Sequence, residues 1–311
     1  MISVEELTKE YDKLTALYAV TFGLKKGSAL GVLGQAGSGK STLLNIICGV
    51  IAPTSGSVKI CGKDISKSPV ECKKKTGYMP EEPPVYPDMT VGEYLDFVCR
   101  IKKVDKIRRI SEIMRLKEAA ALNVSNDVII SSLNRLCRQK LSLCQALAGE
   151  PEILLFDEPT KKLDASEAYE LITLIKASIK GRTVVYATKD LPECVDMCEN
   201  VMILNRGRIA VNSTLARLSA EVSEMKRIKL RALCPRSRAT LLFKDIPDIK
   251  DCEILTADEK GALDVVLTYP ADKDLRKLLW QKSQESNIPV LEMKQLNISL
   301  EDIYLQISAE R

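Results

Sequence analysis

Through the first two thirds of the chain, short apolar runs bounded by glycine or acidic residues alternate with stretches whose apolar positions recur every three or four residues. "SALGVLG", "EILLFD", "TVVYAT" and "NVMILNRGRIAV" each read as a buried strand, and "STLLNIICGVI" as a helix. Strand and helix in alternation call for a largely parallel sheet covered by helices. Residues 80 to 150 break that rhythm: a proline cluster is followed by "TVGEYLDFVCRIKKV" and "DKIRRISEIMRLKEAAAL", both with helical spacing, which predicts a mostly helical subdomain inserted in the sheet. After about residue 218 the order becomes strand, helix, strand, helix, strand, from "MKRIKLRAL" to "PVLEMKQL". The expected organisation is therefore a large unit over residues 1–218 and a small α+β unit over 219–311 with a ferredoxin-like layout.

Composition supports this size. A chain of 311 residues, 45% of them hydrophobic, buries a substantial core without needing cross-links. Its ten cysteines show no C-x-x-C pair, and there is no histidine, so they read as small buried hydrophobes in a reducing compartment. Cys194 and Cys198 would share a helix face, but a zinc site is not expected there. A net charge of +4 does not imply a nucleic-acid partner, and Lys73 to Lys75 and Arg108 to Arg109 read as solvated faces. No apolar run approaches the roughly 18 residues that span a bilayer, and Glu5 and Glu6 stand where a signal peptide would be basic. The expectation is a cytosolic chain that does not itself cross a membrane.

The chemistry begins at "GQAGSGKS", Gly34 to Ser41, which fits G-x-x-x-x-G-K-[ST] between a predicted strand and a predicted helix. Gly34, Gly37 and Gly39 let backbone N–H groups curl around phosphates, and the helix that follows points its positive end at them. Lys40 reaches the outer phosphates and the Ser41 hydroxyl ligates magnesium, so the stretch to Thr42, with Ser38, is the expected nucleotide cradle. In "ILLFDEPT", a buried strand delivers Asp157 to hold magnesium through water, and Glu158 beside it can polarise an attacking water. An acidic pair after an apolar run usually marks only a strand end. With a phosphate loop upstream, the pairing becomes specific.

These two motifs, with "EYDKLTALYAV" before them and "KKLD" after, resemble the ATP-binding subunits of ABC transporters over residues 1 to about 218. The resemblance implies a P-loop NTPase cassette of α/β class, with a parallel-sheet core, an antiparallel β part and an inserted helical subdomain. ATP and Mg2+ are the implied cofactors. It identifies "GYMPEEPPVYPDMTVGEYL" as the Q-loop, with Glu81 in place of a common glutamine and able to touch magnesium. Tyr11 matches the aromatic that stacks on adenine, although on sequence alone an ordinary core tyrosine fits equally well. "LNISLEDIYLQISAER" resembles the tail of single-domain subunits that serve type 2 exporters.

The departures shape the expected function. The family's signature, Leu-Ser-Gly-Gly-Gln, falls on "LNRLC", where Asn134 can still cap a helix but Arg135 and Leu136 add side chains in place of glycines. Lys189 takes the place of the histidine that usually precedes the aspartate of "YATKDL"; an ammonium donates but cannot accept. In the D-loop, Lys161 and Lys162 replace small residues while Leu163 and Asp164 remain. ATP sites of this family form between two subunits, so a homodimer would combine both defects in each site, and a heterodimer would divide them. The resemblance therefore implies an ATPase of low intrinsic activity, with Glu158, Lys40 and Lys189 at its centre. Its partners would be an integral membrane permease and a second, different ATP-binding subunit, with no nucleic acid. Two rivals are a soluble ABC protein of translation or DNA repair and a scaffold that dimerises on ATP without efficient hydrolysis.

Overall fold

The structure is a computed structural model that describes residues 1–12, 14–243, 246–259, 261–296, 300–302 and 304. The chain forms two compact units, Met1–Thr214 and Leu215–Arg311.

In the first unit, β1 (Ile2–Tyr11) and β2 (Leu14–Leu24) form a hairpin, and β3 (Ala29–Leu33) runs into α1 (Lys40–Ile47). β4 (Ser55–Ile60), β5 (Lys63–Asp64), α2 (Pro69–Lys75) and β6 (Thr76–Met79) follow. The helical layer comprises α3 (Val91–Ile101), α4 (Arg109–Ala119) and α5 (Arg135–Leu147). The chain returns to the sheet with β7 (Ile153–Asp157), α6 (Ala165–Ser178), β8 (Thr183–Thr188), α7 (Leu191–Met197), β9 (Asn200–Asn205) and β10 (Arg208–Thr214). Among the described residues these strands make an antiparallel sheet in the order β2-β1-β4-β5 and a larger one in the order β10-β9-β3-β8-β7-β6. The latter is parallel except for the β9–β10 hairpin.

The continuous apolar runs of the central strands arise because both faces are covered. Along β7, Leu154 and Phe156 point into the core shared with the helical layer, while Ile153 and Leu155 point into the one shared with α1 and the antiparallel sheet. α7 lies close over β3: a Cβ on Gly31 would come within 2.1 Å of Cys194 Sγ, so glycine is required for that approach. Cys194 and Cys198 are both buried in this packing.

Three segments differ from the sequence expectation. "STLLNIICGVI" is helical only to Ile47, with Cys48 as its cap. "NVMILNRGRIAV" is two strands, β9 and β10, because Arg206 and Gly207 both adopt positive φ, 48° and 75°, and reverse the chain. In the second unit, the expected strands and helices are joined by one more helix and one more strand. α8 (Leu215–Ser223), β11 (Met225–Leu233), α9 (Arg236–Phe243), β12 (Asp251–Thr256), β13 (Ala262–Pro270), α10 (Arg276–Glu285) and β14 (Val290–Leu296) form it, and α8 and β12 are the additions. The sheet order β12-β13-β11-β14, antiparallel throughout, completes the ferredoxin-like layout. On the sheet of this unit, Asp264 receives both nitrogens of the Arg231 fork, at 2.7 and 3.0 Å. That pairing holds its carboxyl down to about 2. Most of the exporter-like tail, residues 297–299, 303 and 305–311, lies outside the described residues.

Candidate functional site

The carboxyl ends of three adjacent strands, β3, β8 and β7, converge: Leu33 pairs with Thr188, and Asp157 with Ala187. In open α/β sheets the crevice beyond such ends is where ligands bind.

The loop leaving β3 is shaped by glycine. Gly37 and Gly39 have φ of 80° and 105°. A Cβ on Gly39 would sit 2.6 Å from the Ala16 carbonyl oxygen and 2.8 Å from Leu17, so β2 presses directly against the loop. From the other side the Gly207 N–H donates to the Ser38 carbonyl at 3.0 Å, and the Tyr18 N–H donates to the Gly207 carbonyl at 2.8 Å. The β9–β10 turn therefore braces the loop, a role that sequence reasoning missed; the only available signal was the "NRGR" turn. Gly39 is the N-cap of α1 and supplies no side-chain oxygen, which leaves the first-turn amides for a ligand. The Ser38 hydroxyl is buried and has no hydrogen-bond partner.

Lys40 is buried, and its ammonium lies 2.7 Å from the Gly34 carbonyl oxygen, 3.1 Å from that of Gln35 and 3.1 Å from Glu158 Oε1. Ser41 Oγ donates to Asp157 Oδ1 at 3.1 Å, joining the two sequence motifs. Asp157 is buried, and burial, reinforced by the charges of Glu158 and Glu81, raises its carboxyl above the usual range. On its other oxygen the Tyr78 hydroxyl lies at 3.4 Å, and that hydroxyl is also 3.3 Å from Asn45 Oδ1. Tyr78 and Asn45 were not singled out from the sequence, since nothing in β6 or α1 marks them as polar partners of a distant strand end.

Glu158 adopts φ 46°, a left-handed conformation that costs a non-glycine residue about 1–3 kcal/mol. Its N–H donates to the Ala187 carbonyl at 2.8 Å. This bend turns the carboxylate back from the strand end toward Lys40. Next to it, Glu193 on α7 accepts from the hydroxyls of Thr160 at 2.5 Å and Thr188 at 2.6 Å. It thereby ties the turn after β7 to the end of β8, another link invisible in the sequence. Lys189 is exposed and lines a cleft with Glu158, Thr160, Lys161 and Lys162.

The remaining candidates take different positions. Tyr11 ends β1, paired with Leu14 two rungs beyond the Lys9–Leu17 pair; it is 43% exposed, with the Lys9 ammonium 4.9 Å over its ring. Glu81 forms an ion pair with Lys161 at 2.7 Å, and Glu82 pairs with Lys162. The Asn134 side chain caps α5 by accepting the Cys137 N–H at 2.8 Å. Arg135 donates to the Lys162 carbonyl at 2.7 Å, and Leu136 turns inward against the helical core. Asp164 caps α6 in a capping box with Glu167. Thr42 is half-buried in the first turn of α1.

Among the described residues no cluster of three or more metal-ligating side chains exists, and no helix is long and apolar enough to cross a membrane. The pair of a serine hydroxyl and a buried aspartate fits a hard cation that keeps waters and phosphate oxygens as its other ligands.

The profile of the ABC transporter family matches residues 17–161. The chain is 26% identical over 307 residues to the uncharacterized ABC transporter ATP-binding protein YxlF of Bacillus subtilis (strain 168), covering 99% of each. It is 26% identical to the bacitracin transport ATP-binding protein BcrA of Bacillus licheniformis, over 99% of this chain and 97% of that one. It is 32% identical to the probable sulfate/thiosulfate import ATP-binding protein CysA of Chlorella vulgaris, over 67% of this chain and 89% of that one. Among solved structures, the dimeric bacterial ABC transporter cassette MJ0796 superposes with a TM-score of 0.64 at 27% identity, over 69% of this chain and 99% of that one. A post-hydrolysis dimer of the same cassette, bound to ADP and Pi, also gives a TM-score of 0.64.

Proposed function

The chain belongs to the ABC transporter family of ATP-binding proteins, and on that premise we propose that it binds ATP and Mg2+ at Gly34 to Thr42 and Asp157, and hydrolyses ATP slowly. The convergence of Lys40, Ser41, Asp157 and Glu158 at the ends of β3 and β7 carries this reading. Phosphate oxygens accept from the loop amides, from α1's first turn and from the Ser38 hydroxyl. They also compete for the Lys40 ammonium. Its departure frees the Glu158 carboxylate to take a proton from an attacking water held in line. Ser41 and Asp157 would hold magnesium, which would offset phosphate charge. Lys189, on the rim beside Glu158, offers a fixed positive charge to the outer phosphate but cannot accept a proton, which keeps turnover low. Tyr11 supplies an exposed aromatic face for the adenine.

ABC ATP-binding subunits work with membrane permeases and dimerise, and this chain is read as serving a permease on the cytoplasmic face. Among the relatives that match nearly the whole chain is BcrA, named for bacitracin transport, and a probable multidrug ATP-binding protein also matches, which supports an exporter role. For the permease contact, Tyr86 is 52% exposed and packs edge-on against Phe97, with ring centroids 5.6 Å apart, beside the exposed Ile101. Met89, on the same loop, packs into the helical core instead. A heterodimer is favoured over a homodimer because Arg135 and Leu136 stand where the family's signature has glycines and Lys189 replaces an acceptor. A regulatory subunit that dimerises on ATP without efficient hydrolysis is the second reading, favoured by the Arg135 bond to Lys162.

Steady-state ATP turnover of the purified chain, alone and with its copurified permease and partner cassette, tests the reading. Slow turnover alone, raised by Lys189→His when an intact partner is present, is expected. Fast turnover alone overturns the heterodimer reading; none in either state favours the regulatory one.

A further inference from the structure

Two adjacent acids on the loop after β6 meet two adjacent lysines on the turn after β7. Lys161 Nζ is 2.7 Å from Glu81 Oε1, and Lys162 pairs with Glu82. The turn that presents the lysines is tight: the Lys161 N–H donates to the Glu158 carbonyl at 3.0 Å, and Lys162 has φ 70°. From α5, Arg135 donates to the Lys162 carbonyl at 2.7 Å, and the buried Gln139 donates its amide to the Glu81 carbonyl at 3.2 Å. Three segments distant in sequence are thus tied together around one cleft, which Glu81, Glu82, Arg135, Gln139, Lys161 and Lys162 line.

We propose that the Glu81–Lys161 and Glu82–Lys162 pairs are a charge latch joining the loop that leads into the helical layer to the turn that carries Glu158, and that Lys161 is its movable part, releasing Glu81 when a divalent cation occupies Ser41 and Asp157. The pairs are built to be broken. The four side chains are between 29% and 71% exposed, and exposed ion pairs are individually weak and salt-screened. Lys161 also lies in the field of Glu158 and Asp157, so it stands in for cationic charge at a gathering of acids. A divalent ion competes for the same carboxylates with twice the charge. The residue types are mutually matched: reversing the two lysines alone, or the two acids alone, sets like charges against each other, while reversing all four restores the match. Lys161 is therefore a positioning residue, acting through Glu81. The latch itself rests on the contacts above; only its release rests on the nucleotide reading.

Amide hydrogen exchange of residues 81–86 and 160–164, measured on the full chain without nucleotide or metal, tests the latch. The double variant Lys161→Glu/Lys162→Glu should exchange about threefold faster or more in both segments, and adding Glu81→Lys/Glu82→Lys to it should bring both back near the wild-type rate. A reversal without effect, or a swap that fails to restore protection, overturns the proposal. If the reversed chain does not melt cooperatively, Lys161→Met/Lys162→Met replaces it and must raise exchange in both segments. Magnesium titration of ATP-analogue binding, followed by fluorescence, tests the release. Lys161→Met should lower the half-saturating magnesium concentration about three- to tenfold while Lys161→Arg leaves it unchanged. Equal values in all three chains overturn the release. A wild-type chain that binds no nucleotide refutes the functional reading instead and leaves the exchange result standing.

Discussion

The phosphate loop and the Glu81/Lys161 contact lie at the same end of one sheet but are held by opposite means. In the loop, backbone does the work. Gly39 at φ 105° fits under the Ala16 carbonyl, Gly207 ties Ser38 from the other side, and Lys40 and Asp157 are buried. Around Glu81, Glu82, Lys161 and Lys162 the chain is turn and loop, and the link is made by side chains, mostly long charged ones. A site fixed by packed backbone has one geometry and is insensitive to ionic strength. A contact fixed by exposed charges is marginal, and the same solvent that weakens it makes it switchable.

The largest expected effect sharpens that contrast from the buried side. Lys40→Ala removes a charge-assisted contact worth about 1.5–3 kcal/mol, so nucleotide affinity should fall roughly ten- to hundredfold in calorimetry. Unchanged affinity would place phosphate binding elsewhere.

Next in size is the backbone itself. Gly39→Ala should lower stability by about 1–3 kcal/mol, because it combines an unfavourable φ with a 2.6 Å approach to the Ala16 carbonyl. Gly37→Ala, with nothing within 4 Å of its added Cβ, should cost only the dihedral term of about 1–2 kcal/mol. Equal losses in denaturant titrations would mean that the press of β2 against the loop is not what shapes it.

A third effect follows from Asp157. Burial raises its carboxyl, so on acidification it takes up a proton at a higher pH than an exposed aspartate, and only the ionised form binds a cation well. Magnesium-dependent nucleotide affinity should therefore decline already above the usual carboxylate range, while metal-free affinity stays level. A decline that begins only where exposed aspartates titrate would show that Asp157 is not the metal carboxylate.

The smallest effect belongs to the exposed side. Lys162→Ala should cost less than about 1 kcal/mol of stability, and that cost should disappear in concentrated salt. A larger, salt-insensitive loss would erase the distinction between the two regions.

Legibility in the sequence follows the same division. β3, β7 and β8 were readable because both of their faces are covered, so their runs are unbroken. β12 was not, because none of its side chains is fully buried and its alternation is correspondingly faint. "NVMILNRGRIAV" read as one strand because the apolar pattern resumes after the turn; Arg206 at φ 48° carries no residue-type signal of a reversal.

By itself the sequence determined the phosphate loop, the acidic pair after β7 and the family, because these depend on residue types that steric and electrostatic demands fix locally: glycine for positive φ, lysine beside a helix start, a carboxylate at a strand end. Only the tertiary structure decided what those residues touch. It set Glu81 against Lys161, brought Tyr78 and Asn45 to Asp157, made Glu193 the link between Thr160 and Thr188, and braced Ser38 with Gly207. Each of these is a contact between segments far apart in the chain. Which polar group meets which depends on how strands are ordered and helices laid across them, and that order is settled by burial of the whole core rather than by any local pattern.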